Sequence, residues 1–376
     1  MTGSAQAVPS ASWFQRFLLP GFAFKAVIIG GGYATGRELA EFFLPSGPWG
    51  GIAGMLLATC LWSAVAALTF FMAHRLGAYD YRSFFKKLLG PAWITFEIAY
   101  VLFVILILSV FGASAGAIGA AVFDLPPYAG TLALAIGIAA FAAFGNASVE
   151  ILFKYVSILL YAVYALFLVL GLLNFGPQIG AAFAAPAQSN GWALGGITYA
   201  GYNIIGAVIV LPVLRHMTSS RDAVYAGLIA GPLAMAPAII FFVCMAAFYP
   251  AIGSEQLPSD FLLRQMRLPW FHILFQAMIF AALLESGTGS VHAINERIAI
   301  FCRAKRGAEL GAKARGLVAA GLLIVCMFVA QRFGLVALIA NGYRILAYTL
   351  IAIYVLPLVA AGIYWLLRGR FPSENS

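Results

Sequence analysis

Long apolar runs alternate with short polar stretches along almost the whole chain. A helix that crosses a bilayer needs about 20 mostly apolar residues, and ten runs approach or exceed that length. In chain order they are Phe17–Leu44, Gly50–Ala73, Pro91–Val122, Tyr128–Phe144, Val149–Phe175, Trp192–Leu214, Ala223–Pro250, Pro269–Phe301, Gly316–Gln331 and Leu335–Leu367. No run alternates apolar and polar residues as a strand does. The pattern predicts an all-α integral membrane protein of about ten transmembrane helices, in one domain that covers residues 1–376.

The composition indicates that lipid surrounds the protein. Hydrophobic residues make up 63% of the chain and charged residues 9%, with a mean hydropathy of +0.96, whereas soluble domains carry about 25% charged residues. The formal net charge is +9, but most basic residues lie between the apolar runs, where they act as topology signals. We therefore expect the bilayer and a small-molecule solute as partners, and no nucleic acid.

The basic residues are distributed unevenly between the two sides of the predicted membrane. With the N-terminus inside, the inner segments hold Arg16, Arg75, Arg82, Lys86, Lys87, Arg215, Arg221, Arg297, Arg303, Lys305, Arg306, Lys313, Arg315, Arg368 and Arg370. The outer loops hold Arg264, Arg267 and Arg332. This bias predicts that both termini are cytoplasmic, in the inner (plasma) membrane of a bacterium. On the inner side, Tyr81–Leu89 is predicted to be a short amphipathic helix.

Glycines interrupt two of the apolar runs. The segment Ile28–Glu41 reads IIGGGYATGRELAE, and each glycine in a helix interior costs about 1 kcal/mol relative to alanine. Close helix packing through small residues is one interpretation. Because charged residues follow at once, we favour a broken helix that exposes its backbone at mid-membrane. Gly195–Asn203 (GGITYAGYN) lies early in the sixth run and is the predicted counterpart in a second, inverted half.

Three local motifs carry a resemblance to a known family. GGGYATGREL, TYAGYN and the eighth-run stretch ESGTGSVHAINERI resemble the YkvI-like bacterial membrane proteins, within the LeuT-fold amino acid–polyamine–organocation superfamily. The resemblance implies a 5+5 inverted repeat, with repeats at about 15–175 and 190–368 and with broken first and sixth helices. It also implies alternating access through a central site between the first, third, sixth, eighth and tenth helices.

Ionisable residues inside predicted spans are hypotheses of function by default, because burying them is costly. Near the inner helix ends, Lys25 and Glu97 favour a snorkelling or structural ion-pair interpretation. On the outer side, a gate could close by pairing Arg344 with Glu38 or Glu41. The predicted gate residues are Arg37, Glu38, Glu41 and Arg344.

Two charged residues are candidates for ion coupling. Glu285 lies deep in the eighth run, where a carboxyl is neutral, ion-paired, a cation ligand or a structural hydrogen-bonding group. Lys154 on the fifth run resembles, by position, the lysine that replaces a sodium ion in sodium-independent superfamily members. A bound sodium ion held by Thr288, Ser290 and carbonyls near Ala26 and Ile29 stays open as an alternative, with proton coupling favoured.

The pattern and the resemblance together favour a secondary active transporter of a small polar solute, such as an amino acid or related amine. The predicted substrate-binding residues are Gly30, Gly31, Gly32, Tyr33, Tyr100, Phe103, Tyr202, Asn203 and Glu285. Rival interpretations are a ligand-sensing receptor of the same fold and a passive channel. The solute and the oligomeric state are left open.

Enzyme signatures are missing from the sequence. It contains no HExxH, no GxSxG outside the predicted membrane spans, no Walker loop and no His/Cys spacing typical of a metal site. We therefore expect neither catalysis nor a cofactor, apart from the sodium alternative.

The charge bias makes a topology prediction. A cysteine introduced between Arg303 and Arg315 is expected to resist an impermeant thiol reagent applied to intact cells, whereas one near Gln256 is expected to react. The unmodified chain gives the background labelling. The opposite labelling pattern would overturn the span assignment.

Overall fold

The first predicted span is the most interrupted part of the structure. In the computed structural model, which describes residues 12–144, 146–186, 189–306 and 311–368, a π-helical turn at Phe14–Leu18 leads into α1 (Leu19–Ile28), α2 (Gly31–Ala34) and α3 (Arg37–Phe42). Between α1 and α2 the backbone leaves the helical conformation, with ψ of 82° at Ile29 and −167° at Gly30. Between α2 and α3, Gly36 has φ of 78°, a left-handed conformation that glycine adopts without steric penalty. The predicted break in the first helix is confirmed.

The rest of the first half is built from long, continuous helices. They are α4 (Gly47–Leu76), α5 (Tyr81–Leu89), α6 (Trp93–Phe123), α7 (Pro127–Phe144) and α8 (Asn146–Ala184). Helix α5 is the predicted amphipathic segment: Asp80 caps its first turn by accepting from the Ser83 backbone N–H at 2.9 Å, and Phe84 and Phe85 are buried beneath it. An Asp at this position satisfies an N–H that the first turn leaves without a partner.

The second half is built from more irregular helices. They are α9 (Trp192–Asn203), α10 (Ile205–Ile209), α11 (Ser220–Ala246), α12 (Pro258–Met266), α13 (Pro269–Arg306), α14 (Ala312–Ala337), α15 (Arg344–Leu350) and α16 (Leu356–Arg368). A 3-10 segment at Leu211–His216 completes the sixth span. π-helical turns at Leu338–Tyr343 and Ile351–Val355 lie within the tenth.

The sixth span is interrupted later than the glycines suggest. Gly195–Asn203, the predicted unwound stretch, is helical throughout α9. The turn that separates α9 from α10 lies at Ile204, whose φ of −62° and ψ of −19° remain helical. From Leu211 the chain continues as the 3-10 segment. The position of the second break was therefore predicted wrongly. Its glycines serve packing instead, because a Cβ on Gly195 or Gly196 would overlap the backbone of Phe42 or Gly54.

Seven helical segments within the described residues are long and apolar enough to cross a membrane, and Pro127–Phe141 is a shorter apolar helix. The first predicted span does not count among the seven, since its breaks leave only short helices. The ninth and tenth predicted spans lie in one long segment, Lys313–Trp365, in which two helices meet at Gly334, whose φ of 73° and ψ of 167° are not helical. The multi-helix membrane architecture is confirmed, and the count of ten crossings stays a prediction.

The long helices pack in two groups. The first, second, sixth and seventh spans contact one another through α1, α4, α9 and α11, while α6, α7, α13 and α14 form the other group and α8 packs along α13. The tenth span adjoins the first group through α15 and α9. The interrupted first helix lies between the groups, because α2 also contacts α6 and α13.

Small residues bring α4 and α11 close together within the first group. A Cβ on Gly227 would lie 2.3 Å from the backbone of Ala67, and one on Gly231 would meet the Thr59 carbonyl oxygen at 2.5 Å. Such contacts through small side chains are the usual basis of helix association in lipid, where apolar burial gives little net driving force.

This contact makes a stability prediction. Gly227→Ala is expected to destabilise the protein by about 1–3 kcal/mol, because the added methyl group meets backbone atoms that cannot move aside. Gly321→Ala is the matched control: its Cβ meets nothing within 4 Å on α14, so its midpoint of thermal unfolding in detergent should be unchanged or raised. Equal midpoints for the two variants would contradict the packing described.

Candidate functional site

A cavity of about 330 Å³ lies beside the break in the first helix. Its walls come from α1, α6, α8 and α13, with Ile209 from the sixth span. Ala26 faces it from α1, Ile29 from the start of the break, and Tyr161 from the first half of α8. The cavity therefore extends from the break toward the side of the membrane that carries the N-terminus, called here the N-terminal side.

A second, much smaller cavity of about 10 Å³ lies at the break itself. Gly30, Gly31, Glu38, Tyr202 and Asn203 contribute to its wall. Tyr343 closes it from the tenth span. It shares the residues Val27, Phe103, Ile107 and Phe111 with the larger cavity. The two cavities thus adjoin, and together they contact the first, third, fifth, sixth, eighth and tenth spans.

Glu38 is the charged residue of the small cavity. The Tyr202 hydroxyl donates to Glu38 Oε2 at 2.5 Å, and the glutamate residue is 4% exposed. Its side chain folds back over Gly32, where any Cβ would overlap Oε1. Gly32, the third glycine of the GGG run, is therefore needed because a side chain there would displace the Glu38 carboxyl group. The sequence alone gave no sign of this contact.

Aromatic rings enclose this carboxyl group. The rings of Tyr202 and Tyr343 stack with their centroids 4.4 Å apart, and Tyr199 and Phe42 pack against Tyr202 at 5.6 and 5.8 Å. All four side chains are buried. This layer separates the small cavity from the side opposite the N-terminus.

On the side of the aromatic layer away from the small cavity, Arg37 links the first helix to the loop before α12 by hydrogen bonds. Its Nη1 donates to the carbonyl oxygens of Gly253 at 2.9 Å and Glu255 at 2.8 Å, and its Nη2 pairs with Glu41 at 2.9 Å. The Ser259 backbone N–H also donates to the Thr35 carbonyl oxygen at 2.9 Å. These contacts hold α12 over this end of the first helix.

The predicted gate residues separate into two sets. Arg344 Nη2 lies 3.9 Å from Glu41 Oε1, and the Arg344 side chain is 50% exposed. Glu38 instead points to the small cavity, where it accepts from Tyr202. Of the two pairings considered for Arg344, the structure therefore contains the one with Glu41.

The candidate coupling residues lie partly in the larger cavity. Glu285 and Ser290 of α13 line it, opposite Ala26 and Ile29. Thr288 is fully buried, donates to the Leu284 carbonyl oxygen at 2.7 Å and is not in the cavity wall. Lys154 lies on α8, but its side chain falls outside the described part of the structure.

Of the predicted substrate-binding residues, Tyr33 and Gly32 are not in either cavity wall. Tyr33 is fully buried; its hydroxyl donates to the Ala234 carbonyl oxygen at 3.4 Å, and its ring lies beside Tyr164. The side chain therefore packs between α11 and α8, because the turn of α2 directs it away from the break. Tyr100, Phe103 and Asn203 do line the cavities.

Several wall residues were not predicted. Phe111, Tyr161 and Tyr343 contribute rings, and Ser286 contributes a hydroxyl group. Phe111 and Tyr161 sit in runs where aromatic residues are common, so no local signal marks them. Tyr343 directly precedes Arg344, the charged residue of the tenth span, and that proximity was the available signal.

The charged residues near the N-terminal side form structural pairs. Arg297 Nη1 lies 3.4 Å from Glu97 Oε1, and its guanidinium group lies over the rings of Tyr100 at 3.5 Å and Tyr81 at 4.1 Å. The Lys25 ammonium group lies 4.1 Å from the Tyr161 ring centroid. For Glu97, the structure contains the ion pair that was one of the two predicted interpretations.

Comparison with known sequences links the chain to a bacterial membrane protein. No protein-family model matches the chain. The sequence is 22% identical over 340 residues to the uncharacterized membrane protein YkvI of Bacillus subtilis, covering 88% of this chain and 92% of YkvI. The resemblance seen in the three local motifs is confirmed over most of the sequence.

Two solved structures share the architecture. MhsT in complex with L-phenylalanine is 17% identical, with a TM-score of 0.59, covering 94% of this chain and 89% of MhsT. The manganese transporter of Eremococcus coleocola, in complex with an aromatic bis-isothiourea compound, is 16% identical, with a TM-score of 0.52, covering 90% of this chain and 77% of that protein. YkvI is named a membrane protein and the Eremococcus protein a manganese transporter, and neither name is that of an enzyme. The chain is a multi-pass membrane protein with the LeuT fold, and it is similar to YkvI over most of its length.

Proposed function

We propose that the protein is a secondary active transporter that moves a small amine or amino acid across the membrane by alternating access. The observation that carries the proposal is the placement of the cavities at the interrupted first helix. From there the larger cavity extends toward the N-terminal side, while buried aromatic rings and ion pairs close the other side. A central site that is closed toward one side of the membrane is what alternating access requires of one of its two states.

The contacts that close the far side are the proposed gate. Opening that side requires Arg37 to leave the Gly253 and Glu255 carbonyl oxygens and the Tyr202 ring to leave Tyr343. Arg344 approaches Glu41 at the edge of the same contacts. Bound solute would shift the balance between the two states only through contacts that differ between them.

The chemistry of the walls favours an organic solute. MhsT was solved with L-phenylalanine, whereas the Eremococcus protein is named a manganese transporter. Within the described residues, no three His, Cys, Asp or Glu side chains come together as a metal site would need. The large cavity is instead lined by apolar and aromatic side chains with a few polar groups, as is usual for small-molecule sites.

Proton coupling is the proposed energy source. Glu285 lies in the cavity wall on α13, and Lys154 lies on α8, which packs along α13. Carboxyl and amino groups within membrane spans can exchange protons when their solvation changes between the two states of a transporter. Sodium bound among Ala26, Ile29 and Ser290, which face the same cavity, is the competing arrangement.

The function itself is tested by counterflow. Proteoliposomes preloaded with an unlabelled amino acid or amine are expected to take up the labelled form saturably and faster than empty ones. L-Phenylalanine and phenethylamine are suitable first probes, followed by a wider panel. A ligand-sensing receptor would bind a probe without counterflow, and a channel would show flux that does not saturate. Either outcome would overturn the proposal.

The coupling assignment makes a separate prediction. Lys154→Ala and Glu285→Gln are both expected to reduce net accumulation driven by a proton gradient, while Glu285→Gln, which mimics the protonated acid, retains exchange. Glu296→Gln is the control on the same helix, since that side chain is 44% exposed and pairs with Arg315 at 2.8 Å. Accumulation that needs sodium and persists in Lys154→Ala would refute the lysine assignment and favour the sodium site.

A further inference from the structure

The charged side chains that line the two cavities, among the residues described, are Glu38 and Glu285. Both are acidic. The nearest arginine of the first span, Arg37, is already engaged by two carbonyl oxygens and Glu41. A solute carboxylate entering the small cavity would therefore meet the Glu38 carboxyl group and no cation among the described residues of its wall, which is unfavourable in surroundings of low dielectric constant.

The place that a solute carboxylate would take at the break is occupied by the protein itself. The Glu38 carboxyl group folds over Gly32, receives the Tyr202 hydroxyl, and is also hydrogen-bonded by the Tyr33 backbone. An internal carboxyl group thus takes up donors at the interruption. The Glu38 carboxyl oxygens can still accept hydrogen bonds from a solute, because a carboxylate has two oxygens with several lone pairs.

The small cavity has the size and the lining of an ammonium site. Its volume of about 10 Å³ is close to the space that one water-sized group needs, and an –NH₃⁺ group is of that size. The rings of Tyr202, Tyr343, Phe103 and Phe111 line it together with Glu38. A carboxylate among aromatic faces is the combination that attracts an organic cation, through charge and through the ring quadrupoles.

The larger cavity supplies room for the rest of the molecule. It adjoins the small one through Phe103, Ile107 and Phe111, and it is lined mainly by apolar side chains. A solute with its ammonium group at Glu38 would place an apolar body of several carbon atoms there. Burial of that body against the cavity wall would add to the attraction at the charged end.

We propose that Glu38 and the rings of Tyr202 and Tyr343 bind the ammonium group of the solute, and that this solute is a cationic amine with an apolar body and no carboxylate. The inference rests on the proposed transport function and narrows its substrate class. It also changes the role of Glu38, from gate residue to solute-binding residue.

Three probes with one shared body test the substrate class. Phenethylamine, L-phenylalanine and 3-phenylpropionate differ in carrying an ammonium group, both charges, or a carboxylate alone. On the full chain purified in detergent, phenethylamine is expected to bind most tightly by calorimetry and to raise the thermal midpoint, followed by L-phenylalanine, with 3-phenylpropionate inactive. This ranking is measured on the unmodified protein and needs no variant to fold.

The role of Glu38 is tested with matched variants. Glu38→Gln is expected to weaken phenethylamine binding at least about tenfold, because it removes the charge and keeps the shape, whereas Glu296→Gln, outside both cavities, leaves the affinity unchanged. Size-exclusion profiles and midpoints without ligand show that each variant is folded. Tyr343→Phe retains the ring and should keep most of the affinity, whereas Tyr343→Leu should lose part of it.

The outcomes separate this inference from the transport proposal. If L-phenylalanine binds more tightly than phenethylamine and shows counterflow, the protein is a transporter and the amine assignment is wrong. If Glu38→Gln binds phenethylamine as the unmodified protein does, Glu38 is not the ammonium site. Absence of phenethylamine binding would also overturn the inference, and absence of counterflow across the whole panel would overturn the transport function.

Discussion

An interrupted helix inside a membrane must satisfy its freed backbone groups within the protein, because the hydrocarbon core offers no hydrogen-bonding partners. The arrangement around Gly30 follows from this constraint. The extended residues at the break are covered by Phe111, by the turn of α2 and by Glu38, which folds back over Gly32. The Tyr202 hydroxyl then binds the same carboxyl group. One hydrogen bond thereby joins the first span to the sixth at the level of the interruption.

The interrupted first helix lies between the two helix groups and contacts both of them. The first group is held internally by small residues, with backbones in close contact at Gly227 and Gly231, so its helices are expected to move together. The cavities lie where the first span meets the third, fifth and eighth. A shift of one group against the other would change the volume of that space while leaving the α4–α11 contact intact. In the proposed alternating access, the closed aromatic layer and the larger cavity belong to one position of such a shift.

Acidic residues that lie close together in sequence have different surroundings in the structure. Glu38 and Glu41 are separated by less than one helical turn, yet Glu41 pairs with Arg37 and approaches Arg344, while Glu38 is enclosed by aromatic rings. The difference arises because α3 begins after Gly36, whose positive φ sets the direction in which each following side chain projects. The proposed gate residue Glu41 and the proposed binding residue Glu38 are thus placed close together by one backbone conformation.

The apolar runs alone were sufficient to predict a multi-helix membrane protein, since runs of that length and charge content are stable only in lipid. The GGG run predicted the first break, because three helix-destabilising residues directly before a cluster of charges fit poorly into a continuous membrane helix. The second break could not be placed in this way: the glycines of α9 are accommodated by the backbones of Phe42 and Gly54, a packing contact between distant parts of the chain. The same holds for Tyr33, whose ring packs between α11 and α8 although Gly30 and Gly31 of the same turn line the small cavity. Local sequence determines where a helix weakens, whereas the direction of a side chain at the weak point is decided by which helices pack around it.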